Sequence, residues 1–265
     1  MFGRRKVAAI VAEFLATGVL TLVVLSVQRS TIGVPYFVAL AAGLVMAMLM
    51  FVFGSVSGAH ANPAITLALW TARKVGSLTA VVYVIAQLLG AWAAYGLYTY
   101  FVNSSLQEIG GTYTARILVA EAVGTVVLAL GWAAVAFRAN LTVGNRAALV
   151  GVSYALAVIV ASAAGIGLVN PAVAVGTRAW EVFGSMGWGT YVLGPVLGAV
   201  LGVNLYGLLF APAAADEETV VVEEVVVAEV VEKPAVAAKS AKKTTVKKTS
   251  TKAKTTTKKS TAKRK

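Results

Sequence analysis

Two asparagines, each followed by proline and alanine, are the residues of this apolar chain best suited to chemistry. Asn62-Pro63-Ala64 recurs 108 positions later as Asn170-Pro171-Ala172. An asparagine amide donates two hydrogen bonds, and its carbonyl oxygen accepts. Two such amides placed side by side could hold a small ligand by donating hydrogen bonds to it.

The other polar residues argue against catalysis. The chain has one histidine, His60, and no cysteine. Neither a metal site nor a catalytic triad can be assembled from that set. We therefore expect no metal, no cofactor and no enzymatic activity.

The asparagine motif belongs to a longer internal repeat. Further landmarks recur at the same offset: Ala12-Glu13 as Ala120-Glu121, and Tyr83, Gly90 and Ala91 as Tyr191, Gly198 and Ala199. Three landmarks in register indicate that residues 1–212 form one domain with two copies of a unit, at about 6–101 and 114–211. Repeated units of membrane proteins place their shared site at the repeat interface.

Composition places this domain in a membrane. Hydrophobic residues make up 58% of the chain and charged residues 13%, with a mean hydropathy of +0.81. A spanning helix needs about 20 apolar residues. The first apolar run is longer than the roughly 7–15 residues of a signal-peptide core, so we interpret it as a retained helix. Six spans are predicted, at roughly 7–28, 35–56, 78–101, 115–137, 146–166 and 186–211.

Two apolar segments between the spans are too short to cross a bilayer. Asparagine is a favoured helix N-cap, and proline is favoured at the first helical position. Each Asn-Pro-Ala therefore predicts a helix start, and the first helix would run from Pro63 to Ala72. Ten residues span about 15 Å, half of a bilayer core. Broken backbone at that depth is tolerated where it lines a cavity, which favours a pore between two half-helices.

The basic residues predict the orientation. With six spans and two re-entrant loops, most of them fall on one side, which is cytoplasmic by the positive-inside rule. Those residues are Arg4, Arg5, Lys6, Arg73, Lys74, Arg138 and Arg146. Both termini are then cytoplasmic, and the two repeats have opposite topologies.

The tail, 213–265, has a different composition. It holds 13 basic and 7 acidic residues, with the acids first and a Lys/Thr-rich run after them. Such a segment cannot bury a core and should be disordered. The basic run could bind anionic lipid or pair with the acidic stretch, and nucleic acid is a less favoured partner. A tail without any partner is an equal alternative.

Paired Asn-Pro-Ala motifs in six spans, with Ser57-Gly58-Ala59-His60-Ala61 before the first and Ala-Glu in spans one and four, resemble the major intrinsic protein family of aquaporins and glycerol facilitators. The resemblance implies an all-α bundle of six transmembrane helices and two half-helices with an inverted repeat. It also implies a homotetramer in the cell membrane, with a pore for water or small neutral solutes in each monomer. The asparagine amides and the half-helix dipoles would then repel cations and protons.

The filter positions of that family are occupied unusually here. Counting from the two asparagines, they fall on Ala42, Val158, Gly167 and Val173. Family members usually have an aromatic residue at the first position, often histidine at the second and nearly always arginine at the last. The predicted ring is therefore wide and apolar.

Glu13, Glu121 and His60 lie beside the predicted pore. Each carboxylate could relay protons or, as the resemblance implies, accept N–H groups of a re-entrant loop; we favour the acceptor. His60 is interpreted as pore-adjacent structure rather than as a pH gate. Two other functions stay open: an ion-coupled transporter with inverted repeats, and a membrane anchor for the basic tail.

Overall fold

Helices make up most of the described chain. The computed structural model describes residues 3–30, 34–106 and 112–211, and it contains no strand within those ranges. The helices are α1 (Arg4–Gln28), α2 (Pro35–Phe53), α3 (Pro63–Thr71), α4 (Ser77–Val102), α5 (Ala115–Phe137), α6 (Val143–Ala161), α7 (Pro171–Gly176), α8 (Ser185–Trp188) and α9 (Gly194–Phe210). The predicted tail, 213–265, lies outside the described residues.

Six of these elements are long and apolar enough to span a membrane within the described ranges. They are α1, α2, α4, α5, α6 and the continuous stretch Ser185–Phe210. That last span contains a five-residue π-helical segment, Gly189–Leu193, between α8 and α9. The segment lies just before Pro195, which has no N–H to donate into the preceding turn.

The two repeats pack in equivalent ways. In the first, α1 packs on α4, and in the second, α5 packs on α9. The equivalent helices α2 and α6 pack on each other across the repeat interface. Each half-helix also contacts a helix of the other repeat: α3 packs on α9, and α7 packs on α4. The half-helices are therefore held by both repeats.

Glycine allows the closest of these crossings. Gly43 of α2 and Gly151 of α6 are repeat-equivalent residues, and they face each other. A Cβ built on either one would lie 2.6 Å from the carbonyl oxygen of the other. Small residues at such crossings let helix backbones approach closely within a membrane.

The predicted all-α fold is confirmed, with shifts at some boundaries. The second span ends at Phe53 rather than at 56, and the fifth covers Val143–Ala161 rather than 146–166. The fifth begins early because the Thr142 side chain accepts the Asn145 N–H and caps the helix. The half-helix α3 ends at Thr71, one residue before the predicted end.

Candidate functional site

The asparagines Asn62 and Asn170 cap the two half-helices. The Oδ1 atom of Asn62 accepts the Ala64 N–H at 2.9 Å, and that of Asn170 accepts the Ala172 N–H at 3.0 Å. In both helices a proline follows the cap. The helices differ in length, because α3 has nine residues and α7 has six.

The amide nitrogens of these asparagines tie the two re-entrant loops together. Asn62 Nδ2 donates to the Val169 carbonyl at 2.9 Å, and Asn170 Nδ2 donates to the Ala61 carbonyl at 2.8 Å. Each acceptor is the residue before the other asparagine, so the pattern is reciprocal. Both asparagines are 0% exposed. We call this arrangement the asparagine junction.

Unusual backbone geometry aims the two carbonyls across the junction. Ala61 has φ +46° and Val169 has φ +49°, in the left-handed region. Residues with a Cβ atom pay about 1–2 kcal/mol for that conformation. The carboxylate of Glu13 accepts the Ala61 N–H at 2.9 Å, and that of Glu121 accepts the Val169 N–H at 2.7 Å. These charge-assisted bonds help to offset the backbone strain.

Glu13 is the centre of a larger polar cluster. Its Oε1 atom accepts the Ser57 hydroxyl at 2.7 Å and the His60 N–H at 2.9 Å. Its Oε2 atom accepts the Ala61 N–H and a 2.7 Å bond from Gln87 Nε2. This buried carboxylate therefore holds the first re-entrant loop against α1 and α4.

Glu121 has a simpler environment than its repeat counterpart. Its two oxygens accept the backbone N–H groups of Leu168 and Val169, at 2.9 and 2.7 Å. Among the described residues no side chain donates to Glu121, because the repeat-equivalent positions carry other residues. Pro195 stands where the first repeat has Gln87, and Gly165 stands where it has Ser57.

His60 lies between this polar cluster and a cavity. Its Nδ1 atom is 3.1 Å from the Thr66 hydroxyl, and its ring packs edge-on against Tyr83 and Trp132. His60 is buried but contributes to the wall of a cavity of about 560 Å³. The charged residues in that wall are all basic: Lys74, Arg138 and Arg146.

The four positions predicted to form a filter are all buried. Ala42, Val158 and Val173 are exposed by 1%, 2% and 1%. Gly167 has φ +65°, and a Cβ atom there would lie 2.6 Å from the Val158 carbonyl oxygen. Glycine is therefore required at this position, both by the backbone conformation and by space.

Arg178, a further cation of the second repeat, bonds to two side chains that are not among the four predicted filter positions. It donates to the Glu181 carboxylate and to the Tyr95 hydroxyl, at 2.7 and 3.4 Å. These hydrogen bonds, with Glu181 the stronger influence, raise the pKa of Arg178. The guanidinium is thus held by Glu181 and Tyr95, and its side chain is partly exposed.

Sequence reasoning missed Tyr154, whose hydroxyl lies 3.2 Å from Asn170 Nδ2. Helical spacing could have identified it, because Tyr154 is one turn from Val158 on the same face of α6. Gln87 and Thr66, bonded to each other at 2.9 Å, were also missed. Their link to Glu13 depends on tertiary contacts and leaves no local pattern.

Comparison with known proteins decides the family. The family model described as major intrinsic protein matches residues 4–206. The chain belongs to the major intrinsic protein family. The predicted resemblance is thereby confirmed.

Relatives within the major intrinsic protein family cover most of the chain. Aquaporin-1 of Rattus norvegicus is 34% identical over 230 residues, covering 78% of this chain and 84% of that protein. Aquaporin AqpM of Methanothermobacter thermautotrophicus is 31% identical over 192 residues, covering 65% and 76%. The aquaglyceroporin structure from Plasmodium falciparum, at 21% identity, has a TM-score of 0.64 and covers 78% of this chain and 98% of its own. This family member is therefore a multi-pass membrane channel for water or small solutes.

Proposed function

We propose that the protein conducts water and other small neutral solutes passively, along a path that passes the asparagine junction. The observation that carries this proposal is the meeting of two helix N-termini inside a bundle of membrane spans. Asn62 and Asn170 cap those helices and bond reciprocally across the repeat interface. Broken backbone inside a membrane bundle is typical of a permeation path.

The same geometry supports exclusion of cations and protons. A helix N-terminus carries about half a positive charge, and the N-terminus of α3 lies at the junction. The shorter α7 contributes less, because only six peptide dipoles align there. The basic wall of the cavity, with Lys74, Arg138 and Arg146, adds positive potential along the approach.

The filter in this proposal is the apolar ring of Ala42, Val158, Gly167 and Val173. It has neither the guanidinium nor the imidazole that family members usually present, so it offers few fixed hydrogen-bond donors. An apolar constriction passes solutes according to size and can close by dewetting. The ring therefore discriminates weakly among small neutral molecules.

Glu13 and Glu121 argue against ion coupling. A secondary transporter needs an ionisable group that is free to exchange its ligand. Both oxygens of each carboxylate accept hydrogen bonds from loop backbone or neighbouring side chains. We therefore place both residues in a structural role, as acceptors that position the loops.

Orientation, assembly and tail belong to the same proposal. The basic cavity faces the cytoplasm by the positive-inside rule, and both termini are cytoplasmic. Four monomers associate in the cell membrane, and measuring the mass of the complex in mild detergent tests this.

The tail, 213–265, binds anionic headgroups and does not form the path. Anionic lipid should therefore co-purify with the full chain but not with the variant that lacks the tail.

Flux through proteoliposomes tests the channel itself. We expect water and small neutral solutes to move faster than in empty vesicles, with rates independent of any proton gradient. Deleting residues 213–265 should leave those rates unchanged, because the proposed path is built from residues of the helical bundle alone. Stopped-flow light scattering measures both. Flux equal to that of empty vesicles, or flux that needs a proton gradient, would refute a passive channel.

Val173→Arg tests the filter. A guanidinium at this position would fill part of the ring, so we expect the glycerol-to-water permeability ratio to fall about tenfold, equivalent to about 1.4 kcal/mol of added barrier. Arg178→Gln is the control, because Arg178 is held by Glu181 and Tyr95, and it should keep the wild-type ratio. An unchanged ratio in Val173→Arg, with normal protein yield, would remove Val173 from the filter.

A further inference from the structure

Tyr154 lies on the face of α6 that leads from the basic cavity to the filter. Arg146 lines the cavity, and Val150, Tyr154 and Val158 follow it at steps of four residues. Residues at that spacing share one face of a helix. Tyr154 therefore lies between the cavity and the filter, and it is 1% exposed.

The Tyr154 hydroxyl occupies a donor of the asparagine junction. Asn170 Nδ2 donates to the Ala61 carbonyl at 2.8 Å and to Tyr154 Oη at 3.2 Å. An amide has two N–H groups, so both are used. Asn62 differs, because its Nδ2 atom makes a single hydrogen bond among the described residues, to Val169.

The difference between the two asparagines corresponds to a difference in residue type at one repeat-equivalent position. The position equivalent to Tyr154 is Met46 of α2, which lies between Ala42 of the filter and Met50 of the cavity wall at the same four-residue steps. Met46 is 0% exposed, and its thioether is only a weak acceptor. The second N–H of Asn170 therefore has a tyrosine hydroxyl as its acceptor, whereas the equivalent position in the first repeat carries an apolar residue and the described residues provide no second acceptor for Asn62.

We propose that Tyr154 is a specificity-determining residue that forms a second constriction at the asparagine junction, deeper than the filter. This inference rests on the proposed channel function and adds where selection takes place. A solute that binds Asn170 must replace the Tyr154 hydroxyl as acceptor. The phenol O–H can then donate to the same solute, since the hydroxyl is both donor and acceptor.

The expected permeant is consequently a small molecule that can both donate and accept, such as water. The outer ring, made of Ala42, Val158, Gly167 and Val173, has no side-chain donor to make that choice. The Tyr154 ring narrows the path at the point where both asparagines meet. We therefore expect Tyr154, and not the outer ring, to distinguish solutes by their size and by their hydrogen-bonding groups.

Two substitutions distinguish the effect of the Tyr154 hydroxyl from that of its aromatic ring. Tyr154→Phe removes the hydroxyl and frees one Asn170 N–H, so water permeability per protein should rise at least about twofold. Tyr154→Met installs the residue that the first repeat already has at this position. This variant should raise water permeability further and increase the glycerol-to-water permeability ratio about tenfold or more, because the aromatic side chain that narrows the path is gone.

Tyr206→Phe is the matched control. Tyr206 is a buried tyrosine of α9 whose hydroxyl has no hydrogen-bond partner among the described residues. The same chemical change there should leave flux and solute ratio at the wild-type values. Thermal unfolding of each purified variant in detergent verifies the fold, and flux is normalised to protein content.

Each outcome of this comparison has a defined meaning. Higher water flux in Tyr154→Phe and a wider solute range in Tyr154→Met support the second constriction. If the wild type conducts and both variants keep its flux and ratio, the inference is wrong and the channel proposal stands. A fall in flux with a lower unfolding temperature would make Tyr154 a structural support and also overturn the inference. If neither wild type nor variants conduct, the channel proposal fails and this inference fails with it.

Discussion

Glu13→Gln should strongly destabilise the protein and abolish most of its water flux. Each oxygen of Glu13 accepts two hydrogen bonds, so the NH₂ group of glutamine would face two donors in either orientation. These are the Ser57 hydroxyl and the His60 N–H on one side, and the Ala61 N–H and Gln87 Nε2 on the other. Each buried donor left unpaired costs about 1–3 kcal/mol. Two of them should lower the unfolding temperature by about 5–20 °C for a domain of this size. Thermal unfolding in detergent and stopped-flow water flux are the measurements.

The physical reason for this large effect is the position of Glu13 at the start of a connected chain of bonds. Its carboxylate holds the Ala61 N–H, and the Ala61 carbonyl in turn accepts from Asn170. Losing the first bond releases the strained backbone of Ala61 and displaces the junction. The effect on flux should therefore exceed that expected from stability alone.

Glu181→Gln is the control for Glu13→Gln. Glu181 is a partly exposed carboxylate paired with Arg178 near the surface. Surface ion pairs contribute about 0–1 kcal/mol, so this variant should unfold within a few degrees of the wild type. An unfolding temperature of Glu13→Gln equal to that of Glu181→Gln would contradict the anchoring role.

Gly90→Ala should be the second severe change. A Cβ at Gly90 of α4 would overlap the Phe14 carbonyl oxygen of α1 and lie 3.2 Å from the Gly18 nitrogen. These are backbone atoms, so relief requires the two helices to separate. Overpacking of this kind costs about 1–3 kcal/mol or more. We expect a lower unfolding temperature and lower flux, because separation also moves Gln87 away from Glu13.

Gly96 offers a control on the same helix. A Cβ there meets no atom within 4 Å. Gly96→Ala should therefore be neutral, or stabilising by up to about 1 kcal/mol through helix propensity. Equal unfolding temperatures for Gly90→Ala and Gly96→Ala would show that the α1–α4 crossing tolerates a larger residue.

The sequence was sufficient for the architecture because local signals are strong here. Six long apolar runs, two Asn-Pro-Ala helix starts and a constant offset between repeats need no tertiary information. The ends of spans were less well predicted. Apolar composition continues past Phe53 and past Ala161, while the chain must already turn towards the re-entrant loops.

The hydrogen bonds of the two asparagines could not be predicted from the sequence. The motif identified Asn62 and Asn170 as paired amides, and it could not show that each bonds the carbonyl before the other. That bond depends on left-handed backbone at Ala61 and Val169, which neither residue type favours. The clusters around Glu13 and Tyr154 likewise join residues far apart in the chain.

The amino-acid sequence alone determined the membrane class, the duplicated half-helix design, the family resemblance and the apolar residue types at the positions predicted to form a filter. The membrane class and the duplicated design follow from composition and periodicity, which are local properties, whereas the filter positions were assigned through the family resemblance, by their offsets from the two asparagines. Only the tertiary structure decided how the amides are used: Asn62 Nδ2 makes one hydrogen bond within the described part of the chain, while Asn170 Nδ2 makes two. The physical reason is that hydrogen-bond partners are set by which helix faces meet: α6 brings the Tyr154 hydroxyl to Asn170, whereas the equivalent position of α2 carries Met46, which has no hydroxyl.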